Sequence, residues 1–140
     1  MIRILIAIAS LLATSYMIDA QETDTINFET FEYQDGDQTF QMQKYFLVFL
    51  KKGPNSSPNA EAAARMQKAH LAYLGHIYNQ GYICMNGPFG DDGMIRGATI
   101  YRVATAEDAE RLASGDPAVK AGIFELEIHP WWLARGTGVR

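Results

Sequence analysis

The chain has 140 residues, a formal net charge of −4 and one cysteine. That length fits a single domain of ordinary size, a lone Cys84 rules out an internal disulfide, and scattered basic residues on an acidic balance give no footprint for nucleic acid. Cys84 lies between Ile83 and Met85, so it is expected to be a buried thiol rather than a reactive one, which would need an activating base nearby.

The N-terminus comes first. Arg3 precedes an apolar run from Ile4 to Leu12, broken only by Ser10, and a more polar stretch ends in Ile18-Asp19-Ala20. This is the charged start, apolar centre and small-residue exit of a secretory signal peptide. The run is well short of the roughly 20 residues that span a bilayer. We therefore expect residues 1–20 to be cleaved, no stable membrane anchor to remain, and the mature chain to start at Gln21 and to be exported, to a periplasm or outside the cell.

Residues 21–43 form an N-terminal extension, polar and acidic with aromatics set among them. Phe28, Phe31 and Tyr33 precede the turn signal Asp35-Gly36-Asp37, after which Phe40 and Met42 alternate with Thr39, Gln41 and Gln43. A β-hairpin is the expectation, with a loosely held arm as its rival. Residues 44–140 make the main domain. Tyr45 to Leu50 is a continuous apolar run of strand length, stopped by Gly53-Pro54. A long helix follows, capped by Ser57 or Asn59 and ended by Gly81. At 100° per residue Ala62, Met66, Ala69, His70, Tyr73, Leu74 and Ile77 share one face; Glu61, Arg65, Lys68 and Asn79 share the other. Tyr82 to Met85 reads as a second strand, Gly90-Asp91-Asp92-Gly93 as a turn, and Ile95 to Val103 as a third strand. Thr105-Ala106-Glu107-Asp108 is a capping box for a shorter helix, and Asp116-Pro117 opens another helical turn up to Gly122. Phe124, Leu126 and Ile128 alternate with Glu125, Glu127 and His129, the pattern of a strand with one wet face.

The order is β-α-β-β-α-β, which is the ferredoxin-like split arrangement of the α+β class. It predicts a four-stranded antiparallel sheet with two helices on one face. The other face is left bare and apolar, and an exposed apolar face is an association surface. A second copy closing it, to give a homodimeric α+β barrel, is the expected partner.

Few residues can carry chemistry. The helix pattern puts His70 in the middle of an apolar face, where an imidazole costs free energy unless partnered. It is either a buried structural histidine or a general acid/base facing a pocket between helix and sheet. Asp116 before Pro117 is a standard helix cap, and a cap can also orient a histidine because a carboxylate has two oxygens. The glycines from Gly87 to Gly97 lack the phosphate-loop and dinucleotide patterns. Asp91-Asp92 lacks the calcium-loop pattern, and the histidines at 70, 76 and 129 lack zinc-helix spacing. The residues thus point to no metal and no cofactor.

Four segments together resemble the YCII-related family: Lys44 to Leu50, Ala69-His70-Leu71, Asn86-Gly87-Pro88 and Gly115-Asp116-Pro117-Ala118-Val119-Lys120-Ala121-Gly122. The resemblance runs from about Lys44 to about Trp132. It implies a ferredoxin-like fold that dimerises into an α+β barrel, and an active site of a histidine on the first helix with the aspartate of the Asp-Pro motif, here His70 and Asp116. Relatives in the wider superfamily include muconolactone isomerases. The signal peptide and residues 21–43 lie outside the shared pattern.

The expectation is an exported acid/base enzyme, of isomerase or lyase type, acting on a small organic molecule through His70 and Asp116, with Tyr73 or Tyr82 as further hydroxyl contacts. A non-catalytic module that holds such a ligand, or a purely structural dimer, is the alternative.

Overall fold

The computed structural model describes residues 26–139; the expected signal peptide lies outside them. In chain order the elements are β1 (Thr30–Asp35), β2 (Gln38–Lys52), α1 (Ala60–Asn79), β3 (Ile83–Pro88), β4 (Ile95–Tyr101), α2 (Ala106–Ala113), α3 (Pro117–Lys120) and β5 (Phe124–Ala134). All strand pairings are antiparallel. β2 is the spine of the sheet. It pairs along one edge with β5, from Met42 opposite Ala134 to Lys52 opposite Phe124. Its other edge is shared, β1 taking residues 38–43 and β4 taking residues 46–51. With β3 outside β4, the order β5-β2-β4-β3 is that of the ferredoxin-like α+β fold. β1 adds a fifth strand to the four expected, and α3 a short third helix. The sheet stays open.

β1 and β2 make a hairpin joined through Gly36-Asp37, with Gly36 at φ 58°, a backbone conformation open to glycine at no steric cost. No break separates the extension from the main domain. With neither Gly nor Pro near Gln43-Lys44, the alternation of residues 39–43 runs on into the apolar run, and β2 spans 15 residues.

α1 forms where the apolar spacing places it. Asn59, in extended conformation, accepts the Ala62 backbone N–H, and such a cap is worth about 1 kcal/mol. The seven residues assigned to its inner face are all buried or half-buried, while His76 is exposed. Leu74 and Ile77 of α1 and Ala109, Leu112 and Ala113 of α2 close over Phe46, Val48, Ile83 and Tyr101 of the sheet. Both helices therefore lie on one face, and α3 packs beside α1. Thr105 caps α2, its Oγ1 accepting from the Asp108 N–H.

Three sequence expectations change here. β4 ends at Tyr101 rather than Val103, and β5 runs through Pro130 and Trp131-Trp132 to Ala134. Pro130 is tolerated because β5 is an edge strand, paired only with β2, so the N–H that proline lacks is not needed on its open side. Cys84 was expected to be buried and is exposed. Ile83 faces Tyr101 but Met85 faces Ile100, so Cys84 is the extra residue of an irregularity on an edge strand. Ile83 takes the core position, and the thiol is left outside. Among the described residues no helix is long and apolar enough to cross a membrane.

Candidate active site

The site begins with a helix register. A position in the middle of the inner face of α1 delivers His70 to the layer between α1 and the sheet, where the residue is 7% exposed. Gly115 and Asp116 end the turn after α2, and Asp116 caps α3 with Pro117 at its first position. Because α3 packs on α1, the two side chains meet across 46 residues of sequence. His70 Nδ1 lies 2.6 Å from Asp116 Oδ2. The other carboxylate oxygen, Oδ1, accepts the Ala118 N–H at 2.8 Å. Asp116 is thus both helix cap and histidine partner, one oxygen for each.

The contact assigns the donor once Asp116 is taken as a carboxylate: a carboxylate only accepts hydrogen bonds, so Nδ1–H is then the donor. In the neutral ring Nε2 then keeps its lone pair, and it has no hydrogen-bond partner among the described residues. The ring also meets Phe124 edge-on, with centroids 5.6 Å apart. Asp116 is 2% exposed, and a charge so placed persists only when paired and hydrogen-bonded. Its field reaches two phenols. Burial, and then the charge of Asp116, push the Tyr73 hydroxyl above its ordinary value. Burial, Tyr73 and Asp116, in that order, push Tyr101 up further.

His70 lines two cavities. The larger, about 240 Å³, lies between α1 and the β3–β4 ribbon and is also lined by Gln67, Asn86, Arg96, Thr99 and Phe124. A smaller one of about 140 Å³ shares Gln67, His70 and Phe124 and extends toward Ser57 and Ala118. An engineered cavity of about 150 Å³ holds benzene, so the larger space admits a single-ring or short-chain molecule. The structure thus brings together the two residues picked from the sequence and puts open volume beside them. The two tyrosines fall elsewhere. Tyr73 donates to the Leu112 carbonyl at 2.6 Å, Tyr82 packs against the core cluster, and neither lines the His70 cavities. Gln67, Asn86, Arg96 and Thr99 were missed. They come from three elements, and a lone polar residue on a helix, strand or turn carries no local signal of a shared cavity. No group of three or more His, Cys, Asp or Glu side chains converges as a metal site among the described residues.

A ferredoxin-like α+β domain with a buried His–Asp contact beside a small cavity defines the class. The YCII-related domain model matches residues 44–132, and the chain belongs to that family. Among solved structures it is similar to the 5-chloro-2-hydroxyhydroquinone dehydrochlorinase TftG from Burkholderia phenoliruptrix AC1100, in complex with 2,5-dihydroxybenzoquinone. The identity is 25%, the match covers 62% of this chain and 92% of that one, and the TM-score is 0.49. No curated protein matches the chain.

Proposed function

We propose that the protein is an exported acid/base enzyme, of isomerase or lyase type, that acts on a small organic molecule through His70 and Asp116. One observation carries this reading. His70 is tied to Asp116 through Nδ1, which leaves Nε2 as the unpaired nitrogen of a ring that lines a cavity. A histidine kept for structure alone would satisfy both nitrogens or be packed on all sides.

In the proposed reaction Nε2 takes a proton from an acidic C–H of the bound molecule. The imidazolium that forms is held by the Asp116 carboxylate, which also keeps the ring in the productive tautomer. Nε2–H then returns the proton to another carbon, which isomerises the molecule, or to a departing group, which completes an elimination. The protein ends as it began, and no cofactor enters.

Two further parts belong to the proposal. Residues 1–20 are removed on export, so that N-terminal sequencing of exported protein should begin at Gln21; a chain beginning at Met1 would overturn that part. A second copy covers the bare sheet face, where Met85, Phe89 and Trp131 stand 41 to 44% exposed; sedimentation should show a dimer at micromolar concentration, and a monomer would refute it.

The acid/base role is tested by incubating the protein in D₂O with a panel of small carbonyl compounds and following deuterium at carbon by NMR. Exchange should be catalysed for part of the panel and fall by roughly 10²- to 10⁴-fold in His70→Ala. Exchange that survives this substitution, or a panel that binds without exchange, would leave a ligand-holding module.

A further inference from the structure

We infer that the cavity beside His70 selects anions, and that Arg96 is the residue that holds them. The inference rests on the reading of this cavity as the substrate site and names the class of molecule it takes: a single-ring or short-chain carboxylate.

The charges around the cavity are unequal. His70 and Arg96 alone among its lining residues can carry charge, and both are basic; no Asp or Glu lines it. Gln67, Asn86 and Thr99 add neutral hydrogen-bonding groups, and Phe89 and Phe124 add flat apolar faces. Any positive charge on His70 is answered by Asp116 at 2.6 Å. Arg96 has no such answer. Its Nη1 lies 3.4 Å from the Asp91 carbonyl and 3.3 Å from that of Gly93, both long for N–H···O bonds. Its carboxylate neighbour, Asp92 Oδ1, stands 3.8 Å away on a fully exposed side chain, a solvent-screened contact of little worth. Asp91, in the same loop, turns its Oδ1 to the Gly93 N–H. A guanidinium has five N–H donors in a fork that matches a carboxylate, so most of its donors remain unspent.

The strand is also built to re-aim this side chain. Leu50 faces Gly97 while Lys51 faces Ile95, which leaves Arg96 as the extra residue of a bulge, and bulges turn a side chain out of the strand's alternation. The neighbouring position is Gly97, where a Cβ would come within 3.0 Å of the Gly87 carbonyl oxygen. The bulge and the glycine together put Arg96 on the cavity wall, its guanidinium resting against the β3–β4 loop within a side chain's swing of the space, and keep side-chain bulk out of the strand beside it.

Calorimetric or NMR titration of the full mature chain with benzoate, and with its neutral isostere benzamide, tests this. Benzoate should bind at least about tenfold more tightly than benzamide, the scale of a hydrogen bond to a charged group. Arg96→Gln should abolish the preference by weakening benzoate alone, with benzamide binding and Tm unchanged, and Arg96→Lys should retain part of it. Benzoate that binds no better than benzamide, including the case in which neither binds, overturns the inference, as does a preference that survives Arg96→Gln. His70→Asn separates the two readings. Loss of deuterium exchange without loss of the benzoate preference supports both. Exchange that persists in His70→Asn refutes the acid/base role yet leaves anion selection standing.

Discussion

The sheet carries a histidine beside a carboxylate on each of its faces. Under the helices His70 Nδ1 lies 2.6 Å from Asp116, with side chains 9% and 3% exposed. On the bare face His129 Nε2 lies 2.9 Å from Glu127, with side chains 52% and 41% exposed, and Lys51 reaches the same carboxylate at 2.9 Å. The two contacts differ little in distance and chemistry. The exposed one is shared among three groups in water: hydrogen bonds from His129 and then Lys51 hold the Glu127 carboxyl below its ordinary range, and Glu127 in turn raises Lys51. Ion pairs of that kind contribute little. The buried pair stands in a low-dielectric layer, with both carboxylate oxygens used and one imidazole nitrogen left over beside a cavity. Surroundings, rather than separation, distinguish a candidate catalytic pair from a surface ion pair.

The largest expected effect is on activity. His70→Ala should remove roughly 10²- to 10⁴-fold of deuterium exchange, whereas His129→Ala should leave the exchange rate within about twofold, as a surface change away from the site. Equal losses in the two variants would erase the distinction. Stability should divide the pairs next. Asp116→Ala removes a cap and strands a buried imidazole N–H, so about 3 kcal/mol should be lost in denaturant unfolding. Asp116→Asn keeps an acceptor for Ala118 and should lose less than half of that, while activity falls much further than stability. A reversed ratio would make the pair structural. Glu127→Gln should leave the denaturation midpoint indistinguishable from that of the parent.

A smaller effect tests the support of the buried pair. A Cβ at Gly115 would lie 2.0 Å from the Tyr73 hydroxyl. Gly115→Ala should therefore push Tyr73 off the Leu112 carbonyl and lower stability by about 1–3 kcal/mol, the usual cost of overpacking. Smallest is a pH effect. Tyr101 has its folded pKa raised above the unfolded value of about 10. Its neutral form is favoured by folding, so that contribution is complete below pH 10 and lost as pH rises toward the folded pKa. Between about pH 10 and 11 the parent should lose stability faster than Tyr101→Phe; parallel curves would contradict the burial of that hydroxyl.

Much of this architecture was legible in the residues. The 3.6-residue spacing of α1 set every inner position and so turned His70 inward, and alternation in Phe124–His129 marked the wet and dry sides of β5. Asp116-Pro117 signalled a cap. That the spare carboxylate oxygen points at His70 depends on how α3 packs on α1, a long-range event; the residues by themselves left it one option for a helix cap, and the family resemblance singled it out. Local reading failed where a rule has a tertiary exception. Pro130 marks a strand end unless the strand is an edge, and Cys84 among apolar neighbours is buried unless the strand slips by one residue. Arg96 escaped notice for a similar reason, since in a turn-rich stretch a lone arginine reads as a solvated charge, and only the bulge and the packing of α1 bring it to the cavity.

The most direct test of the central claim is the protonation of the His70 ring, read by long-range ¹H–¹⁵N NMR as pH is lowered. The account requires that the neutral ring carry its hydrogen on Nδ1, that Nε2 be the bare nitrogen and take up the proton, and that Asp116→Asn weaken this preference. A hydrogen found on Nε2, or a His70 ring that takes up no proton while the fold persists, would contradict it.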